Sequence, residues 1–199
     1  MKALLTARPI STGAAWMGAA FTALVLVFGY AAFGLWTTLI FASGFLGGFV
    51  LWIVFGNARS SKAIRLPYWI CLGLFVMHRI EERISGFFDE LARLTGAPTP
   101  DIASPQVIGL VILSIGPWLL VLPAIHRFPA IGSHLAWTFF AAMGVTELFH
   151  VAFLLIDGRN DLYFPGLASV AILAPTAWWG MTRMVRAPSE NGPAVGQGG

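Results

Sequence analysis

Long apolar runs separated by short polar segments dominate this chain. The first run covers residues 13–55 without a charged residue, although a membrane-spanning helix needs only about 20 residues. This run therefore predicts two helices, with the turn between them at 29–34. Later runs predict four more helices, at about 65–85, 107–125, 133–156 and 163–181.

Two details of the third helix follow from its residues. Pro67 suits the first turn of a helix, where its missing N–H removes no hydrogen bond. The polar residues that follow the apolar part predict that the same helix continues as an amphipathic segment over 84–94. Gly96, Pro98 and Pro100 then end it.

The composition indicates the class of protein. Apolar residues make up 57% of the chain and charged residues 11%, with a mean hydropathy of +0.78, whereas soluble domains carry about 25% charged residues. We therefore predict an all-α fold, a polytopic bundle of six transmembrane helices. The sequence has no basic patch interleaved with aromatic residues, so nucleic acid is not expected as a partner. The single cysteine, Cys71, excludes an intrachain disulfide.

The positive-inside rule sets the orientation. With six helices, most basic residues of the loops fall on one side of the membrane, so both termini are predicted to be cytoplasmic. The chain is then a multi-pass protein of the inner (plasma) membrane, in contact with membrane lipid. Residues 1–12 form a cytoplasmic tail, residues 13–186 the transmembrane domain, and residues 187–199 a tail whose Pro, Gly, Ser and Gln content predicts disorder. The cytoplasmic basic residues are Lys2, Arg8, Arg59, Lys62, Arg65, Arg127, Arg183 and Arg186.

Two clusters of ionisable residues lie inside the predicted helices. His78, Glu81 and Glu82 lie in the second half of the third helix, and Glu147 and His150 lie near the end of the fifth. Residues three or four positions apart share one face of a helix, so each cluster points in one direction. The third and fifth helices cross the membrane in the same direction, which places both clusters at a common depth. Because ionisable groups inside a membrane are costly and usually functional, these residues form the candidate site.

The residue types favour a membrane-embedded enzyme. Two histidines supply nitrogen ligands and three glutamates supply oxygen ligands, a mixed set that suits a divalent metal such as zinc or iron. The Glu-x-x-His spacing at 147–150 also occurs in dimetal carboxylate bundles. Without a metal, Glu81, Glu82 and Glu147 are candidate acid/base catalysts of an isomerase- or hydrolase-like reaction. The expected substrate is a hydrophobic, lipid-like small molecule, because the site opens to hydrocarbon.

The sequence leaves three other interpretations. The same residues would serve as a proton relay in a small proton-coupled transporter or permease. The chain lacks the inverted repeats of such proteins, and a homo-oligomer would have to compensate for their absence. The chain would alternatively be a scaffold whose charges pair with a partner helix. In a purely structural interpretation, the first cluster is a solvated helix end, and Glu147 is a buried carboxylate paired with Arg79 or Arg83.

The His-x-x-Glu-Glu motif at 78–82 resembles the signature of the HXXEE family of bacterial integral membrane proteins. That family tends to show Asn-x-x-His on a later span, followed by a Tyr-x-Pro-Gly turn. This chain has Glu-x-x-His at 147–150 and Tyr-Phe-Pro-Gly at 163–166, so the resemblance runs from residue 78 to the sixth helix. Glu147 stands in place of the Asn, and Arg-Ile-Ser-Gly-Phe-Phe replaces the aromatic and Pro-Gly residues expected after the paired glutamates. The resemblance strengthens the candidate site and implies no particular reaction.

Overall fold

The computed structural model describes residues 10–58, 61–96, 99, 101–157 and 163–186, and the regular structure in these ranges is all helical. This confirms the predicted all-α class. The predicted tail at 187–199 and residues 1–9 of the other predicted tail lie outside the described residues. The elements are α1 (Thr12–Phe55), α2 (Ser61–Ser85), α3 (Phe87–Thr95), α4 (Pro105–Leu119), α5 (Val121–Arg127), α6 (Pro129–Gly144), a 3₁₀ turn (Thr146–Leu148), α7 (Phe149–Ile156) and α8 (Leu167–Arg186).

Helix α1 folds back on itself at Gly34, whose φ of 73° and ψ of −174° lie outside the helical range. Phe21 and Phe45 lie on opposite sides of this break, with ring centroids only 6.5 Å apart. A straight helix would separate them by roughly 36 Å. Residues 12–33 and 35–55 therefore form two antiparallel arms, named here the first and second arm. The break falls within the predicted interval 29–34, and glycine permits it because it adopts positive φ without steric cost.

The second arm packs closely against α6 through two glycines. A Cβ atom added to Gly44 would lie 2.7 Å from the Cα atom of Ala142. One added to Gly48 would lie 2.5 Å from the Cα atom of Thr138. Small residues four positions apart let helix backbones approach in this way, and the sequence predicts such a packing role for this pair. Residues 132–144 of α6 are all buried, so α6 lies at the centre of the bundle.

Helix α2 begins at Ser61, earlier than predicted, so Pro67 lies inside the helix and not in its first turn. A proline inside a helix leaves the carbonyl group four residues before it without its usual donor. The guanidinium of Arg183 replaces that donor, because its Nε atom donates to the carbonyl oxygen of Ala63 at 3.3 Å. The last helix of the chain thus stabilises the start of α2.

The predicted amphipathic continuation of α2 forms, but as a separate helix. Gly86 interrupts α2 with a φ of 77°, in the left-handed region that favours glycine. Helix α3 follows, with Leu91 buried and Asp89 exposed. The change of direction at Gly86 turns α3 toward the candidate site.

Two other segments are bent. Helices α4 and α5 meet at an angle of 61°, and Pro117 lies in the last turn of α4, where proline is a common cause of a kink. Helices α6 and α7 are separated by the 3₁₀ turn, which contains Glu147. Breaks in a membrane helix are tolerated where other groups satisfy the freed backbone. Here the indole N–H of Trp178 donates to the carbonyl oxygen of Gly144 at 2.7 Å.

Side-chain contacts show how the bundle is ordered. Ser61 at the start of α2 contacts His126 of α5 at 3.2 Å, and Tyr68 one to two turns later donates to the carbonyl oxygen of Trp118 in α4 at 2.8 Å. Helix α2 therefore runs antiparallel to α4 and α5. Within the described residues, α1, α2 and the α6–α7 segment are long and apolar enough to cross a membrane. A fourth span is counted if α4 and α5 cross together, and these properties are consistent with a membrane protein.

Candidate metal centre

Four side chains from separate segments converge inside the bundle. His78 and Glu82 come from α2, Glu147 from the 3₁₀ turn and His150 from the first turn of α7. All four are buried, with exposed fractions between 0% for His78 and 7% for Glu147. One nitrogen or oxygen atom of each residue lies within 4.8 Å of the corresponding atoms of the other three. This group, named here the His/Glu centre, could hold a metal ion.

Nitrogen and oxygen atoms alternate around the His/Glu centre. Glu147 Oε2 lies 3.1 Å from Nε2 of His78 and 3.3 Å from Nε2 of His150. Glu82 Oε1 lies 3.4 Å from the first of these nitrogens and 3.3 Å from the second. Four ligands placed tetrahedrally at about 2.0–2.2 Å from a zinc ion would be about 3.3–3.6 Å apart. The four nitrogen–oxygen separations are close to this spacing.

A hydrogen-bond acceptor holds the outer nitrogen atom of each histidine. His150 Nδ1 donates to the carbonyl oxygen of Pro165 at 2.5 Å. His78 Nδ1 lies 2.8 Å from Ser169 Oγ, and the hydroxyl of Ser169 donates to the carbonyl oxygen of Gly166 at 3.1 Å. Because that hydroxyl has one proton, Ser169 accepts from His78. With its proton on Nδ1, each neutral ring directs the lone pair of Nε2 at the centre, as metal-binding histidines do.

Arg79 holds the outer oxygen atoms of both glutamates. Its Nη1 atom lies 2.8 Å from Glu82 Oε2, and its Nη2 atom lies 2.6 Å from Glu147 Oε1. The ion pair of Glu147 with Arg79, one of the alternatives from the sequence, is therefore present beside the metal-binding geometry. Arg79 does not satisfy every carboxylate oxygen of the two glutamates, because Glu82 Oε1 is buried without a hydrogen-bond partner. An unsatisfied buried carboxylate oxygen is costly, and a cation at the centre would remove that cost.

Glu81, also a predicted ligand and catalyst, is not part of the His/Glu centre. Its carboxylate accepts hydrogen bonds from the backbone N–H groups of Ala168 and Ser169, at 3.1 and 2.9 Å, and from the hydroxyl of Tyr163 at 2.6 Å. The N–H groups belong to the first turn of α8, which has no acceptors of its own for them. Glu81 therefore caps α8 from a neighbouring helix and fixes the residue that accepts from His78.

The turn before α8 touches both histidine rings. Gly166 has a φ of 90°, a conformation that favours glycine. A Cβ atom at this position would lie 2.6 Å from Cε1 of His150 and 2.8 Å from Cε1 of His78. A side chain would therefore displace at least one ring, which is a physical reason for glycine at the end of the Tyr-x-Pro-Gly motif.

An apolar cavity of about 230 Å³ borders the His/Glu centre. It lies between the second arm, α2, α3, α4 and the α6–α7 segment, and its walls are mainly aromatic and aliphatic. Arg79, Glu82, Glu147 and His150 form its polar end, whereas His78 does not line it. A molecule in the cavity would thus meet the centre on the side of His150 and the two carboxylates. The aromatic walls include Phe33, Phe41, Phe45, Phe75, Phe87 and Trp118.

The structure brings together four of the five predicted ligands and leaves Glu81 outside. It also adds two groups that the sequence analysis did not assign to the site, the carbonyl of Pro165 and the hydroxyl of Ser169. Arg79, which the sequence offers as a partner of Glu147, binds Glu82 as well. The Tyr-x-Pro-Gly motif was a signal that the turn matters. Nothing in a sequence pattern shows that a backbone carbonyl will accept from a distant histidine.

No protein-family model, no curated protein and no solved structure matches this chain. The geometry and chemistry of its own residues therefore carry the functional argument.

Proposed function

We propose that this protein is a membrane-embedded, metal-dependent enzyme whose active centre is the His/Glu centre. The observation that carries the proposal is the convergence of two imidazole nitrogens and two carboxylate oxygens on one buried point. Lone pairs and negative charges at such distances repel one another unless a proton or a metal cation lies between them. Two nitrogen and two oxygen ligands suit zinc or non-haem iron.

The surrounding residues support an active role for this centre. A divalent ion held there would polarise a substrate oxygen or activate a bound water, provided that it accepts a further ligand beside the four side chains. Arg79 fixes both carboxylates through charge-assisted hydrogen bonds, so that one oxygen of Glu82 and one of Glu147 face the centre. These two residues are the groups that would accept or return a proton. The apolar walls of the cavity would admit a hydrophobic, lipid-like substrate.

We further propose six membrane spans with both termini in the cytoplasm. The spans are the two arms of α1, then α2, α4–α5, α6–α7 and α8. The reversal of α1 at Gly34 and the antiparallel order of α2 and α4–α5 support this count. The two arginines in the last turn of α8, Arg183 and Arg186, would lie at the cytoplasmic surface, in agreement with the positive-inside rule.

Metal analysis of the purified protein tests the proposed function. Wild-type protein should contain one divalent ion per chain, and His150→Ala should contain none, because it lacks one ligand of the single His/Glu centre. His134→Ala is the matched control, since His134 is another buried histidine, exposed by only 2%, and it lies outside the centre. Both substitutions remove a buried imidazole, but only His150→Ala should lose the metal.

Two results would overturn the metal-dependent function. One is wild-type protein that stays free of metal after incubation with Zn²⁺ and with Fe²⁺. The other is His150→Ala protein that retains its ion at the wild-type level. The metal content of Glu82→Gln and of Glu147→Gln provides a second measurement, since each substitution replaces a carboxylate that faces the centre with a neutral amide.

A metal-free function is favoured by one observation, the separation of 3.1 Å between His78 Nε2 and Glu147 Oε2. Two groups at this distance can pass a proton, which would serve an acid/base enzyme or the proton relay of a small transporter. Proton flux into liposomes separates these functions from the metal-dependent enzyme. A flux that Glu147→Gln abolishes, in protein that binds no metal, would favour the transporter.

A further inference from the structure

We propose that the cavity beside the His/Glu centre binds a small apolar molecule with a single oxygen-donor head group, which faces Glu82, Glu147 and His150. The apolar body of this ligand is about the size of one substituted aromatic ring or a short alkyl chain. The inference rests on the proposed metal-dependent function and narrows its substrate class.

The volume of the cavity sets the size of the apolar body. The cavity measures about 230 Å³, whereas an apolar cavity of about 150 Å³ holds one benzene molecule. Pockets for drug-sized ligands measure about 300–1,000 Å³. A fused-ring sterol or a pair of acyl chains therefore exceeds the volume of the cavity and would enter it only in part. Aromatic walls suit a flat or slender body, and Phe45 and Trp118 already stack at a centroid distance of 5.2 Å along one wall.

The charges at the polar end determine the head group. Arg79 contributes one positive charge and the two glutamates contribute two negative charges, so the centre with neutral histidines carries a net charge of −1. A divalent ion changes this charge to +1, because a bound metal is the largest local charge in such a site. The loaded centre therefore favours a carboxylate, a hydroxamate or a carbonyl oxygen over an ammonium group.

The same cavity opens to the surface of the bundle between apolar side chains. Ile102 and Val111 line it and are nevertheless 49% and 46% exposed. In a bilayer, apolar side chains at such an opening face lipid tails. A ligand of the proposed class would reach the centre from the membrane, with its apolar body still shielded from water.

Titration of the full-length, Co²⁺-loaded protein in detergent tests the inference, since a ligand that binds Co²⁺ changes its visible absorption. Each methylene group buried in the cavity should tighten binding about fourfold. Hexanohydroxamate should therefore bind much more tightly than acetohydroxamate. Hexylamine, which has the same chain and a cationic head, should leave the absorption unchanged.

A cavity-filling variant separates binding in the cavity from partition of the chain into detergent. Ser114 lines the cavity on α4, and Ser114→Phe should weaken hexanohydroxamate roughly tenfold, the effect of one to two displaced methylene groups. Binding of acetohydroxamate and the Co²⁺ content should stay unchanged. Ile112→Phe is the matched control, because Ile112 lies on the same helix, is 66% exposed and does not line the cavity.

The outcomes distinguish this inference from the function on which it rests. If Ser114→Phe and Ile112→Phe bind hexanohydroxamate equally well, or if hexylamine binds as tightly as hexanohydroxamate, the substrate class is wrong while the metal centre stands. Protein that takes up no Co²⁺ would overturn the metal-dependent function, and the inference with it.

Discussion

The carbonyl oxygen of Pro165 lies 2.5 Å from Nδ1 of His150 and holds that imidazole with its other nitrogen toward the His/Glu centre. The orientation of a candidate metal ligand thus depends on a backbone group outside both clusters of ionisable residues. Loss of such an outer partner typically lowers metal affinity about 10–100-fold. Substitutions in the turn before α8 therefore test the orientation of the ligands without removing any of them.

Gly166→Ala should lower metal affinity about 10–100-fold, because the added Cβ atom would lie 2.6 Å from His150 and 2.8 Å from His78. Gly86→Ala is the matched control, since Gly86 also has a positive φ but nothing lies within 4 Å of its added Cβ atom. Both variants should lose stability through backbone strain, by about 1–2 kcal/mol. Metal titration and thermal unfolding measure the two effects, and equal metal affinities in the two variants would contradict the role of Gly166.

Glu81→Gln should weaken metal binding about tenfold and still allow the chain to insert. A neutral amide is a poorer acceptor than a carboxylate for the N–H groups of Ala168 and Ser169, so the partner of His78 would shift. Glu90→Gln is the control, because Glu90 forms an ion pair with Arg93 on α3, away from the centre. Complete loss of metal in Glu81→Gln, equal to that in His150→Ala, would instead support the ligand role that the sequence predicts for Glu81.

Arg79→Met should destabilise the metal-free protein by roughly 3–5 kcal/mol, because it leaves two buried carboxylates without their cation. Zn²⁺ should then raise the unfolding temperature of Arg79→Met more than that of the wild type, since the metal also neutralises the carboxylates. Calorimetry with and without Zn²⁺ measures both effects.

A triple variant that combines Arg79→Met, Glu82→Gln and Glu147→Gln tests the alternative that the ion pair is purely structural. It removes all three charges at once, so most of the lost stability should return. That recovery, in a chain that binds no metal in any form, would favour the structural interpretation over the enzyme.

Reporter fusions after residues 57, 99, 127 and 157 should report cytoplasm, outside, cytoplasm and outside in that order. The reason is that Gly34 reverses α1, so that residues 12–55 cross the membrane twice and return to the starting side. If the fusion after residue 57 reports outside, α1 crosses the membrane once and the proposed six-span topology fails.

The periodicity of polar residues predicts much of the candidate site. Residues three and four positions from His78 share its helix face, so both Glu81 and Glu82 qualify as ligands from sequence. Which of the two glutamates joins the centre depends on α8, because the N–H groups of its first turn donate to the carboxylate of Glu81. That helix begins some eighty residues later in the chain, and no local pattern indicates such a long-range contact.

The helix boundaries show the same limit of local reasoning. A turn within residues 29–34 was predictable, because an uncharged run of more than forty residues is too long for one span. The structure places the break at Gly34. The start of α2 was not predictable, because Pro67 is normally a signal for the first turn of a helix. Inside α2, Arg183 donates to the freed carbonyl group of Ala63, a contact that the local sequence does not indicate.

The position of Pro165 and Ser169 in the chain has a consequence for biosynthesis. Both residues leave the ribosome after His78, Glu82, Glu147 and His150, so a nascent polypeptide that ends at residue 157 already carries every ligand but lacks the groups that orient the imidazoles. We therefore expect a chain truncated at residue 157 to insert into the membrane and to bind metal only weakly. Uptake of a metal isotope by ribosome complexes arrested at that residue measures this binding. The His/Glu centre would then mature only after the turn before α8 has been synthesised, although all four ligands are already present by then.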